Sequence, residues 1–191
     1  MRGENTMKYA ILDSNSYYAL GLRHLVLRSS EAAETTTGDI RWRRALLTMD
    51  TIIVRCHFSL TSSQQSLLGI LSRLEKQCWN GRLYLVCNEQ GWALATHLRK
   101  RFSALEIHLL DVNFSVRDTT RLLTKAPRRS MYRSLDFSLT DVEFTVLNLL
   151  ARGFSVPCVT RSTHLTGKQV SMHKCNALRK LNADSLVQLL I

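Results

Sequence analysis

The sequence predicts two unlike folds in one chain: an α/β unit built on a doubly wound parallel sheet, followed by an all-α unit of four helices. Three observations carry this. In residues 8–123, short apolar or β-branched runs alternate with amphipathic helical stretches, the pattern of a parallel sheet covered on both faces. In the last quarter, two capping boxes open helices about one helix and a turn apart. The chain is also strongly basic, with 26 Lys and Arg against 15 Asp and Glu, a formal net charge of +11.

The first unit starts on Lys8-Tyr9-Ala10-Ile11-Leu12-Asp13, which reads as a buried strand, with Ser14-Asn15-Ser16 as a cap and residues 17–27 as an amphipathic helix. Residues 51–55, 82–87 and 106–110 are further strands. Residues 63–75, 92–101 and 115–123 are the helices between and after them. Residues 38–47, with Arg41, Arg43 and Arg44 around Trp42, leave the second strand unplaced. Lys125, Pro127, Arg128, Arg129 and Arg133 then lie in a stretch of little apolar content, which reads as a solvated linker over residues 124–138. Its arginines either form a charged tether or add non-specific attraction for phosphate.

The second unit opens on Thr140-Asp141-Val142-Glu143, a capping box with Leu139 placed as a hydrophobic staple. Val146, Leu147, Leu149 and Leu150 continue an apolar helix that Gly153 stops. Ser155 can cap a short helix through Val159, in which Pro157 is tolerated because a first-turn N–H has no partner to lose. Thr166-Gly167-Lys168-Gln169 is the second capping box. Beyond it Val170, Ala177, Leu178 and Leu181 share one face, while Lys168, Ser171, Met172, Cys175 and Arg179 share the opposite one. The tail, residues 184–191, reads as a fourth short helix. A short helix, a turn and a longer capped helix form a helix-turn-helix, and the polar, basic outer face suits a DNA groove.

The residues Leu139-Thr140-x-x-Glu143-x-x-Val146-Leu147, Leu150-Ala151-x-Gly153-x-Ser155, Thr166-x-Lys168-x-Val170-x-x-His173 and Leu178-Arg179-Lys180-Leu181 resemble the LuxR-type DNA-binding domain of the LuxR, NarL and FixJ regulators. Within that group, Val170-Ser171-x-x-Lys174 and Asn176-Ala177-Leu178-Arg179-Lys180-Leu181-Asn182 look most like the Rcs capsule-regulator branch, which includes RcsB and auxiliary partners such as RcsA and BglJ. Two departures stand out. Lys174 occupies a position usually held by Val, so its stem either snorkels along the core or reaches toward phosphate. Val156, Pro157, Cys158 and Thr160 replace the usual polar and small residues of the second helix.

Ahead of such a module, the strand–helix order resembles a response-regulator receiver domain, and that resemblance implies a site at the strand ends. A receiver has an acidic pair for Mg²⁺ after the first strand, an Asp ending the third strand as phosphoacceptor, a Thr or Ser after the fourth and a Lys after the fifth. Here only Asp13 remains of the acidic pair, Arg55 stands at or near the acceptor position, Cys87 or Asn88 follows the fourth strand and Asp111 replaces the Lys. A cation in place of the carboxylate nucleophile would repel Mg²⁺ and could form no aspartyl phosphate, so the domain reads as receiver-like without phosphotransfer. On the residues alone, Asp13 is either a metal ligand or a turn and capping Asp, and Arg55 is either a site residue or a surface arginine at a strand end.

Charge, cysteines and motifs narrow the function class. A basic surface of this size favours nucleic acid or an acidic partner. Cys56, Cys78, Cys87, Cys158 and Cys175 are odd in number and contain no Cys-x-x-Cys pair, so they read as reduced cytosolic thiols. His57, His97 and His108 lack metal spacing, and no catalytic triad or phosphate loop can be assembled; the expectation is no enzyme, no metal and no cofactor. The apolar runs are far below the roughly 18 residues of a membrane span, so a cytoplasmic protein is expected, translated from Met1 or from Met7. The predicted organisation is a receiver-like domain at 7–123, the linker at 124–138 and the helix-turn-helix at 139–191.

The expected function is phosphorylation-independent, DNA-binding transcription regulation. Its expected partners are double-stranded DNA, a second copy or an RcsB-like regulator, and RNA polymerase. Lys168, Gln169, Ser171, Met172, Lys174, Cys175, Arg179 and Lys180 are the DNA-binding candidates. Ser171 would bond a base edge, Met172 and Cys175 would meet a thymine methyl or simply face outward, and the cations would meet phosphate. His173, on the inner edge, would pack or orient the helix. The alternative is a module that binds a partner regulator and withholds it from DNA.

Overall fold

The computed structural model describes residues 7–13, 15–27, 32–37, 44–56, 62–124 and 138–189. Strands β1 (Lys8–Asp13), β2 (Ala32–Thr37), β3 (Thr51–Arg55), β4 (Arg82–Cys87) and β5 (Glu106–Asp111) form one sheet in the order β2-β1-β3-β4-β5, every pair parallel. Helices α1 (Ser16–Leu27), α2 (Ser62–Lys76), α3 (Gly91–Arg101) and α4 (Val116–Thr124) connect or follow the strands. Both faces of the sheet are buried, so β3 and β4 are apolar without alternation, as in Ile52-Ile53-Val54 and Leu83-Tyr84-Leu85-Val86. One layer of core gathers Ile52, Val54, Leu71, Leu83 and Leu94; the other gathers Tyr9, Ile11, Ile53, Tyr84 and Leu122. The order reverses between β1 and β3, and ligands of open α/β sheets bind in the crevice outside the strand C-termini at such a point.

The second strand is the main difference from expectation. It lies at residues 32–37, ahead of the region left unplaced, and that region instead contains a 3-10 helix at Arg44–Thr48. Arg41, Trp42 and Arg43, the residues 125–137 of the expected linker, His57, Ser14 and residues 1–6 lie outside the described residues.

The helical part consists of α5 (Asp141–Ala151), α6 (Val156–Thr163) and α7 (Gly167–Lys180). Thr140 caps α5 reciprocally with Glu143, and Leu139 and Phe144, the staple positions, are both buried in one cluster. Gly153, at φ +83°, ends α5 in a Schellman arrangement in which Phe154 N–H donates to the Leu149 carbonyl and Gly153 N–H to that of Leu150. Asn182, at φ 49°, ends α7 in the same way, with Ala183 N–H on Leu178 and Asn182 N–H on Arg179. Val146, Val159 and Val170, one from each helix, form the inner core of the three. Two details correct the sequence reading. Ser155 has cap geometry but makes no side-chain cap bond, and the tail forms only a 3-10 turn at Val187–Leu189 within the described residues.

Candidate functional site

Two sites were expected, and they differ in what their charges meet. The first is the outer face of α7. The reciprocal Thr166–Gln169 cap fixes where the helix starts, with Gln169 N–H on Thr166 Oγ1 at 3.3 Å and Thr166 N–H on Gln169 Oε1 at 2.8 Å. Burial of Val170, Ala177, Leu178 and Leu181 then fixes how the helix is rotated. The opposite face follows: Lys168, Ser171, Met172, Cys175 and Arg179 are all exposed, Met172 by 50%. They span about 16 Å at 1.5 Å per residue, the length of a side-chain row that fits along a major groove. From Phe144 to Ala183 the chain holds no acidic residue against Arg152, Arg161, Lys168, Lys174, Arg179 and Lys180. The positive end of the α7 dipole lies beside Lys168, so this end of the helix attracts anions twice over.

Three of the expected DNA contacts are placed differently. Gln169 is exposed, but its amide oxygen is committed to the Thr166 cap. Lys174 and His173 are half-buried at the flank of the helix. Lys180 turns inward: its ammonium donates to Glu143 Oε2 at 2.7 Å and to the Ser138 carbonyl at 3.1 Å. Glu143 is only 4% exposed. Its burial alone would raise its pKa, but the Lys180 ammonium and the Thr140 amide outweigh it and hold the carboxyl below the ordinary 4.5. Lys180 is therefore a strut between α7 and α5. The pair is 37 residues apart in sequence and carries no spacing signal.

The second site is the C-terminal edge of the sheet at the reversal point. Asp13 ends β1 and Arg55 ends β3, the adjacent strand, and Arg55 Nε donates to Asp13 Oδ1 at 2.6 Å. The same Oδ1 accepts the Asn15 N–H at 2.8 Å, so Asp13 is both turn former and ion-pair partner. The Arg55 guanidinium lies 4.8 Å over the Tyr18 ring. Burial pushes the Tyr18 phenol up to about 12 against the opposing pull of Arg55, so it stays protonated. Cys87, ending β4, is buried; desolvation holds its thiol well above the ordinary value, so it is no nucleophile. Asp111, ending β5, accepts the Trp92 indole N–H on Oδ2 at 3.2 Å and the Asn113 amide on Oδ1 at 2.9 Å.

These residues do not fit the Mg²⁺ of a receiver. The buried Asp13 carboxylate already faces the Arg55 guanidinium, whose charge would repel a cation brought to it. Among the described residues no group of three or more His, Cys, Asp or Glu could hold a metal, and no helix is long and apolar enough to cross a membrane.

Residues 137–191 match the family "Bacterial regulatory proteins, luxR family". Over 52 residues the chain is 48% identical to a putative positive transcription regulator of virulence factors, BvgA, from Bordetella pertussis; this covers 27% of the chain and 25% of BvgA. The RcsB two-component response regulator in complex with DNA superposes with a TM-score of 0.56 at 18% identity, covering 97% of this chain and 96% of that one. RcsB in a structure of two dimers bound to two parallel DNAs superposes with a TM-score of 0.56 at 17% identity, with the same coverage. At these identities the structures establish the fold of the whole chain, an α/β receiver-like domain followed by a helix-turn-helix. The helix-turn-helix at the C-terminal end belongs to the luxR family of bacterial regulatory proteins.

Proposed function

We propose that the chain is a bacterial DNA-binding transcription regulator that acts without phosphorylation, as a dimer with itself or with an RcsB-like LuxR-type regulator. The observation that carries this is α7: a capped helix in a luxR-family domain, with an exposed row of cations and small side chains and no carboxylate. In this reading Lys168 and Arg179 meet phosphate, Lys174 reaches it from the flank, Ser171 bonds a base edge, and Met172 and Cys175 meet thymine methyls. The α/β domain supplies the pairing surface, residues 124–138 link it to the DNA-binding domain at 139–191, and the protein works in the cytoplasm beside RNA polymerase. One module of this kind buries only about 600–1,000 Å² on DNA, so two half-sites and two copies are needed for a specific site. The RcsB dimers bound to DNA support that arrangement by fold. The Asp13–Arg55 pair supports independence from phosphorylation, since it removes both the metal site and the acceptor.

The test is titration of the full chain against labelled duplexes, alone and with an RcsB-like regulator. Weak binding alone, tightened strongly by the partner, is expected. Ser171→Ala should cost about 1–3 kcal/mol of preference for the target over random DNA. Exposed Phe154 and Val156 at the start of α6 favour a second reading, a module that holds a partner regulator off DNA. That reading requires partner capture with no DNA affinity at any salt concentration.

A further inference from the structure

The helical domain meets the α/β domain at Leu139, flanked by Ser138 and Thr140, which bond within the helical domain. Leu139 N–H donates to the Ala93 carbonyl of α3 at 3.4 Å, and the Leu139 carbonyl meets His97 Nδ1 at 3.1 Å. Thr140 caps α5, and Ser138 offers its carbonyl to Lys180 at the end of α7. The His97 ring stacks on Phe144 with centroids 4.6 Å apart and planes 24° from parallel. The Arg101 guanidinium lies 5.8 Å from the same Phe144 ring. Leu139, Phe144, Leu147 and Leu178 share one buried cluster with Leu94 and Leu98 of α3. Lys168, Ser171, Met172, Cys175 and Arg179 remain exposed in this arrangement.

We propose that α3 is the docking platform of the helical domain, and that His97 is a proton-sensitive latch that holds the domain there, with α7 facing outward, while its ring is neutral. The neutral ring keeps its proton on Nδ1, where Leu139 accepts it. A second proton has to go to Nε2, which is buried with no partner among the described residues. Burial is the largest influence on the ring and lowers its pKa from the ordinary 6.5. Of the charges that face it, the Asp141 carboxylate, 3.9 Å away on α5 and largely solvated, favours the cation, whereas Arg101 and Lys100 on α3 oppose it. Because the docked state binds the proton less tightly than the undocked one, docking is strongest above 6.5 and weakens as the pH falls through that value.

The rotational correlation times of the two domains in the full chain, measured by ¹⁵N relaxation, test this without DNA, so the latch and the DNA-binding reading fail separately. At about pH 7.5 the two domains should share one correlation time, and at about pH 5.5 each should tumble with its own, shorter one. His97→Phe keeps the stack and removes the titration, so it should give one shared value at both pH values; Phe144→Ala should give two at both. The amide spectrum of each sample reports separately that both domains are folded. Independent tumbling of the unaltered chain at the higher pH, shared tumbling at the lower, or a pH dependence that persists in His97→Phe overturns the proposal.

Discussion

The outer face of α7 carries lysine and arginine and the C-terminal edge of the sheet carries Arg55, yet their charges have opposite fates. On α7, Lys168 and Arg179 stand in solvent on a helix that contains no carboxylate, so their field extends to whatever approaches. At the sheet edge, Arg55 is turned onto Asp13 and Tyr18, so its charge is spent inside the fold. Lys180 belongs to the second kind although it lies on the first element. Residue type and helix membership therefore say little about whether a cation is available to a ligand; the presence of a buried carboxylate within reach decides it.

The largest effect that sharpens this contrast is on the strut. Lys180→Met leaves the buried Glu143 carboxylate without its cation and should destabilise the helical domain by about 3 kcal/mol, read by denaturant unfolding. Because the folded Glu143 pKa is depressed, the stabilisation it contributes is present above about 4.5 and lost as the pH falls through its folded value. That acid limb should be missing in Lys180→Met. A loss equal to that of Lys168→Ala would place Lys180 among the free cations instead. Next, Arg55→Met strands Asp13, which is 1% exposed, and should cost about 1–3 kcal/mol in the α/β domain. Asp13→Asn in the same background should recover part of it; no recovery would mean that Arg55 acts through its stacking on Tyr18 alone. The smallest expected effect is none at all: incubated with acetyl phosphate and Mg²⁺, the intact protein should gain no base-labile mass of about 80 Da. Stoichiometric gain would break the account of the sheet edge.

Much of the helical domain was legible because its signals are local. A capping box joins residues three apart, and the Gly153 stop and the Val170–Ala177–Leu181 stripe are read within one or two turns. The strands β1, β3, β4 and β5 were legible because burial on both faces makes each a run of apolar residues. The edge strand β2 was not: Ala-Ala-Glu-Thr-Thr-Thr has no such run, and an edge strand needs only the one neighbour, β1. The charge change at Asp13, Arg55, Cys87 and Asp111 was visible in sequence, but the pairing of Arg55 with Asp13 required the register of β1 against β3. The inward turn of Lys180 and the stacking of His97 on Phe144 join residues that are neighbours only after the helices pack, so no periodicity announces them.

The central claim, that exposed cations of α7 meet DNA while paired ones do not, is tested most directly by the salt dependence of binding. Affinity for a duplex should be measured between about 50 and 200 mM salt for the unaltered chain, Lys168→Ala and Lys180→Met, under conditions where all three are folded. Lys168→Ala should weaken binding to every sequence and flatten the slope of log affinity against log salt by about 0.9, the loss of one phosphate contact. Lys180→Met should leave the slope unchanged. Equal slopes for Lys168→Ala and the unaltered chain, or a flattening in Lys180→Met of the size expected for Lys168→Ala, would contradict the claim.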